Sequence, residues 1–256
     1  MRITDVRYQQ LTGTMEHPGT FWEDRLGRPT DIYPEGREEG PRELPQIDKG
    51  RYRIQAVFLE IETDEGVTGR AGPISGASAM LIDRLHKRML IGEDPLATER
   101  LWDKMYRGAV FGGGAITTSV ISAVDNALWD LKGKWLGVPV YRLLGGPTRD
   151  RIPVYVSTLG YSLELDLVRE RAQAFVEQGY RAMKWFFKYG PYHGREGMRK
   201  NVRLVEAVRD AVGPDVDIML DIWMSWDVPY TLEMAARLKE FRPRWFEEPL
   251  LPDRVE

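Results

Sequence analysis

Apolar residues recur in this chain with two periods, one near two residues and one near 3.6, and the order in which the periods appear predicts its elements. Over residues 2–11, Ile3, Val6 and Tyr8 stand among polar neighbours and predict a strand. No period holds over residues 13–50, where Pro18, Pro29, Pro34, Pro41 and Pro45 punctuate a charged stretch. It reads as a long irregular loop, of the kind that is either functional or disordered. Ile54, Val57, Leu59 and Ile61 restore near-alternation over Arg51–Thr63, Asp64-Glu65-Gly66 supplies turn chemistry, and residues 67–74 return, predicting a hairpin. Helical spacing follows over residues 77–90, 96–106 and 116–135, the last ending where Gly137 and Pro139 stop it. Strand, loop, hairpin and helices in that order describe an α+β domain.

After Gly145-Gly146-Pro147 the rhythm changes. Strand signals at residues 152–157, 182–187, 217–221 and 244–247 alternate with helical stretches at 164–178, 198–212 and 230–241. That alternation predicts right-handed βαβ units and a parallel sheet. A closed eight-fold barrel takes about 250 residues, roughly 31 per unit. The 106 residues that follow position 150 suffice for about three and a half units, so the sheet is expected not to close and the chain to be truncated. On this reading the inner face, with Met183 and Met219 or their neighbours, lies open to water, and the isolated chain is inactive and prone to aggregate or to pair with another half-barrel.

Composition narrows the chemistry. Lys plus Arg number 36 against 39 Asp plus Glu, a net charge of -3 that argues against a nucleic-acid surface. No apolar run is long enough for a membrane helix, and the first residues lack the apolar block of a secretory signal. A soluble, cytoplasmic protein with no membrane partner is the expectation. The chain has no cysteine, which excludes disulfides and thiolate ligands, so any metal must be held by oxygen or imidazole.

Parallel α/β sheets handle ligands at the carboxyl ends of their strands. One strand here contains Lys184 and runs on to Lys188, the next ends at Asp221, and the last ends at Glu247-Glu248-Pro249. Two carboxylates on neighbouring strand ends suit a hard divalent cation such as Mg²⁺, with water and substrate oxygens completing its octahedron. A lysine on the adjoining strand, held near neutral by that cation and by desolvation, is placed to move protons.

Several motifs then carry a resemblance. Residues 123–134, reading Ala-Val-Asp-Asn-Ala-Leu-Trp-Asp-Leu-Lys-Gly-Lys, continue through Gly137-Val138-Pro139-Val140 to Leu143-Leu144-Gly145-Gly146. This resembles the domain-junction signature of the enolase superfamily, and more narrowly its mandelate racemase and muconate lactonizing enzyme group. Thr63-Asp64-Glu65-Gly66-Val67-Thr68-Gly69 is similar to that group's hairpin, and Asp221 with Trp245-Phe246-Glu247-Glu248-Pro249 resembles its first two metal-ligand motifs. Gly190-Pro191-Tyr192-His193-Gly194 and the stretch from Asp221 to Val228 look most like the L-rhamnonate dehydratase branch.

The resemblance implies an α+β N-terminal capping domain over residues 1–125, then the first half of a TIM-type (β/α) barrel over residues 126–256, with about four strands. It implies Mg²⁺ as cofactor, Asp221 and Glu247 as metal ligands, and a third ligand and the main base beyond residue 256. The implied reaction is dehydration of a small-molecule sugar acid (an aldonate) by α-proton abstraction through a metal-stabilised enediolate, in a protein that is a homo-oligomer at full length. Racemases and lactonizing enzymes of the group usually show Lys-x-Lys on the second barrel strand. Lys184 matches the first lysine, but Phe186 takes the second place and Trp223 stands where an asparagine is common. Racemization or epimerization of a hydroxy acid is therefore the second reading, and a catalytically incomplete binding or assembly module the third.

Lys184 is a candidate proton carrier or clamp on a substrate carboxylate, against a purely structural cation, and Lys188 a second catalytic candidate against a solvated loop lysine. His193 and Trp223 are candidate substrate contacts. So are the loop arginines Arg25, Arg28, Arg37 and Arg42, among which Arg37 is the choice. Trp185, Phe186 and Phe187 read as packing and His86 as a helix-surface residue. Gly112-Gly113-Gly114 has no Gly-Lys-Ser/Thr after it and is not a phosphate loop.

Overall fold

The computed structural model describes residues 1–40, 44–109 and 114–253, so Arg42, Gly112 and Gly113 lie outside the described residues. In chain order the elements are β1 Ile3–Glu16, α1 Pro34–Glu38, β2 Gln46–Asp48, β3 Arg51–Thr63, β4 Thr68–Ile74 and α2 Gly76–Leu81. A π-helical turn, Ile82–His86, leads to α3 Lys87–Leu90, α4 Thr98–Gly108, α5 Ala115–Leu136 and α6 Val140–Leu143. Then come β5 Val156–Ser157, α7 Leu165–Glu177, β6 Ala182–Phe186, α8 Gly194–Val212, β7 Asp217–Asp221, α9 Val228–Leu238 and β8 Trp245–Glu247.

These elements form two compact units. The first takes residues 1–16 and 47–151, the second residues 17–46 and 152–256. The boundary expected between residues 125 and 126 falls inside α5. That helix is one continuous rod because Val120, Val124, Ala127, Leu128 and Leu131 share a single buried face, and it ends at Gly137 in the left-handed conformation (φ 68°).

In the first unit β1 pairs antiparallel with β3, β4 pairs with the end of β3, and β2 joins the same sheet. Ile3, Val6, Leu59 and Ile61 alternate onto one face, where they meet Leu101 and Met105 of α4 and the buried face of α5. β4 approaches α5 so closely that a Cβ on Gly69 would collide with the Ala127 carbonyl and the Leu131 side chain. The expected helix over residues 77–90 is interrupted by the π turn, and its His86 is buried, 1% exposed, instead of lying on the surface.

The second unit is a parallel sheet in the order β5-β6-β7-β8, with α7, α8 and α9 on one side. Alternation sends Met183, Trp185, Ile218, Leu220 and Ile222 to the helix side, where they meet Val168, Val205, Val208 and Met234. Met183 therefore belongs to the helix-side core, and Met219 on the other face is only 1% exposed, which corrects the expectation that both line an open face. Solvent reaches the edge instead: β5 is limited to the two residues that pair with β6, and Ile152 and Val154 are 75% and 67% exposed. The sheet curves enough to set Tyr155, beside β5, against Trp245 of β8, with ring centroids 6.0 Å apart.

Residues 17–40 and 44–46 form a strap that folds with this sheet, so the irregular loop expected over residues 13–50 has internal order. Arg25, 4% exposed, organises it. Its guanidinium donates to both carboxylate oxygens of Asp31 (3.1 and 3.0 Å) and to the carbonyls of Leu26, Gly36, Arg37 and Glu39. Glu23 accepts from Arg171 and the Ser162 amide, and the Gly27 amide donates to the Phe187 carbonyl.

Candidate metal and substrate-acid site

Parallel pairing sets Phe186 opposite Asp221 and Asp221 opposite Glu247, so the ends of β6, β7 and β8 lie level. Lys184, two residues before Phe186, shares the face of Asp221 and Glu247. Its ammonium lies 2.9 Å from Asp221 Oδ2 and 2.5 Å from Glu247 Oε1. Lys184 and Asp221 are nearly closed to solvent, with side chains 8% and 7% exposed, while Glu247 is 28% exposed. Trp245 donates its indole N–H to the other oxygen, Glu247 Oε2, at 3.2 Å, and the Tyr155 ring lies 5.8 Å from the Lys184 ammonium.

Depth governs the charges. Burial pushes the Asp221 carboxyl above the usual range, more than the Lys184 ammonium pulls it down. Burial also acts on Glu247, but hydrogen bonds from Lys184 and Trp245 outweigh it and hold that carboxyl low. For Lys184, burial favours the neutral amine, yet the two carboxylates outweigh burial and raise its pKa. The two carboxylates thus stabilise the charged form of Lys184.

The backbone beyond the strand ends is locked. Ile222, Met224 and Trp226 donate amides to the carbonyls of Glu247, Glu248 and Pro249. Trp223, Met224 and Glu248 take left-handed conformations, φ 46°, 61° and 46°, which cost non-glycine residues about 1–2 kcal/mol each. Such conformations persist only where the surroundings enforce them.

The remaining candidates are placed elsewhere on the unit. Lys188 pairs with Asp24 of the strap at 2.7 Å. Arg37 donates to the Tyr192 carbonyl, and Arg28 pairs with Glu39. His193 accepts from the Gly190 amide through Nδ1, and burial holds its pKa below the usual value. Trp223, beside Asp221, is 45% exposed. Sequence reasoning missed Trp245 and Tyr155. For Trp245 the signal was present, since a residue two before Glu247 on a strand faces the same way. For Tyr155 none was, because its place depends on sheet curvature.

Among the described residues no three acidic or histidine side chains converge on one point. Asp221 and Glu247 nonetheless fit a divalent cation, because both already direct an oxygen at a single cation, the Lys184 ammonium.

Residues 47–145 match the family "Mandelate racemase / muconate lactonizing enzyme, N-terminal domain", and residues 167–256 match "Enolase C-terminal domain-like". The chain belongs to the enolase superfamily, in its mandelate racemase and muconate lactonizing enzyme group. Within that group it is similar to acid-sugar dehydratases. It is 31% identical to L-rhamnonate dehydratase of Saccharopolyspora erythraea, over 99% of this chain and 62% of that protein. It is 39% identical to D-galactonate dehydratase of Variovorax paradoxus, over 80% and 55%. The crystal structure of rhamnonate dehydratase from Gibberella zeae complexed with Mg superposes with a TM-score of 0.74 at 29% identity, covering 99% of this chain and 61% of that one. The chain thus spans a little over half the length of these relatives. No helix among the described residues is long and apolar enough to cross a membrane.

Proposed function

We propose that this chain supplies the metal-binding and acid-binding part of an Mg²⁺-dependent sugar-acid dehydratase, a hydro-lyase acting on an aldonate. The observation that carries the reading is the convergence of Asp221 and Glu247, from paired positions on neighbouring strands, onto one cation. Asp221 and Glu247 would hold Mg²⁺, which when bound supplies charge neutralisation for a substrate carboxylate and so acidifies the proton beside it. Lys184 contributes a second positive charge at the same strand ends. The half-exposed indole of Trp223 offers an apolar wall at the mouth. Arg37 and His193, at the strap and the Gly190–Gly194 loop, offer polar contacts to the hydroxyls of a polyhydroxy acid. Lys188 is a tether of the strap in this structure, through Asp24.

The position two residues after Lys184 is the fully buried Phe186, so this strand provides one ammonium, where a two-base racemase of the group shows two lysines. That supports loss of water over racemization. Because the relatives are longer than this chain, binding tests the reading more directly than turnover. Calorimetric titration with Mg²⁺ is expected to show one site that Asp221→Asn and Glu247→Gln each weaken at least tenfold. Mg²⁺ affinity unchanged in both variants would overturn it. Formation of a 2-keto-3-deoxy acid from an aldonate panel would then name the substrate.

A further inference from the structure

We propose that Lys184 is an internal counter-cation that occupies the carboxylate pair until a divalent ion displaces it, and that the Tyr155 ring receives the displaced ammonium. The inference rests on the metal reading above and adds a competitor and an exchange route to it.

Two carboxylates at level strand ends and mostly out of water repel one another unless a positive charge lies between them. The ammonium does so here, bridging Asp221 at 2.9 Å and Glu247 at 2.5 Å. A divalent ion bound by the same oxygens would stand within a few ångströms of that ammonium. Like charges at such a distance in a shielded site repel by more than thermal energy, so metal and ammonium cannot share the position. The ion must drive the ammonium out, and a lysine's flexible four-carbon stem permits the swing.

On this inference the displaced ammonium moves toward Tyr155. The Tyr155 ring is already 5.8 Å from Nζ, inside the range at which a cation is attracted to an aromatic face. Trp245 packs edge-on against that ring at 6.0 Å and 78°, and the same indole holds Glu247 Oε2. One assembly therefore fixes a ligand oxygen and the ring together, and a short rotation of the lysine stem exchanges one seat for the other. With the ammonium displaced, both carboxylates would be free of Lys184.

The test is calorimetric titration with Mg²⁺, paired with thermal melting, on the chain and on Lys184→Met, Tyr155→Leu and Tyr155→Phe. Lys184→Met keeps the length of the stem and removes the competitor. It is expected to bind Mg²⁺ about tenfold tighter or more, to melt lower without metal, and to gain more from added Mg²⁺ than the unaltered chain. Tyr155→Leu is expected to weaken Mg²⁺ binding several-fold, and Tyr155→Phe, which keeps the ring face, to restore it. Equal or weaker Mg²⁺ binding by Lys184→Met, while the unaltered chain binds, would overturn the inference and leave the metal reading intact. Should that variant fail to fold, equal affinities for the two Tyr155 variants would overturn it instead. Absence of Mg²⁺ binding by the unaltered chain would overturn the metal reading and this inference with it.

Discussion

Asp221 and Glu247 stand opposite one another across β7 and β8 and turn their carboxylates to the same ammonium, yet burial drives the first carboxyl up while hydrogen bonds hold the second down. The difference lies in depth, 7% side-chain exposure against 28%. Neutralising the deeper partner leaves the Lys184 charge with less compensation where water cannot help. Asp221→Asn is therefore expected to lower unfolding free energy by about 3 kcal/mol, and Glu247→Gln by about 1 kcal/mol. Urea midpoints for the two variants measured without metal check the order. A larger loss for Glu247→Gln would show that depth does not rank these partners.

His86 gives the first unit a pH dependence. Its ring is 1% exposed, neither nitrogen has a hydrogen-bond partner among the described residues, and burial lowers its pKa from the ordinary 6.5. The unfolded chain then binds this proton more readily than the folded one. Its stability contribution is whole above pH 6.5 and is lost as pH falls from there through the lowered folded value. His86→Leu is expected to flatten the fall in urea midpoint between about pH 7 and 5 and to cost no stability at pH 7, since no hydrogen bond is broken. Parallel profiles for variant and parent would refute this.

Gly69 allows β4 to lie against α5. A methyl group there meets the Ala127 carbonyl and the Leu131 side chain, neither of which can swing aside as the tip of a long side chain would. Gly69→Ala is expected to destabilise the first unit by about 1–3 kcal/mol through overpacking. Hydrogen exchange on α5 amides would register the loss, and unchanged protection would count against so close an approach.

Arg25 holds the strap through a planar fork of donors. Lysine carries the same charge but has three donors on one nitrogen and cannot reach both Asp31 oxygens and the surrounding carbonyls together. Arg25→Lys is expected to speed proteolytic cleavage within residues 17–46 by roughly tenfold or more, equivalent to about 1.4 kcal/mol of local opening. An unchanged cleavage rate would mean that Asp31 and the carbonyls are not what orders this segment.

Much of this molecule was legible in its residues because the relevant forces act between near neighbours. The alternation of Leu59 and Ile61, the three- and four-residue spacing of Val120, Val124 and Leu128, the stop at Gly137 and the alternation of strands and helices after residue 150 are properties of short windows. They set the element types, the two-part organisation and the candidacy of Asp221 and Glu247 as strand-end carboxylates. Boundaries strayed where an element lacked a partner. β5 is short because only Val156 and Ser157 pair with β6, and β1 runs on to Glu16 because β3 continues beside it.

What tertiary structure alone decided depends on groups far apart in the chain, whose meeting no local period encodes. Lys184 meets a carboxylate 63 residues away, and Lys188 pairs with one 164 residues away. The order of a proline-rich strap follows from one guanidinium that collects acceptors along it, and the burial of His86 from packing in the first unit's core. Tyr155 enters the site because a four-stranded sheet curves until its two ends touch at Trp245. Residue types announced a pair of carboxylates and a lysine; only packing, by removing water from between them, made the three a single hydrogen-bonded assembly.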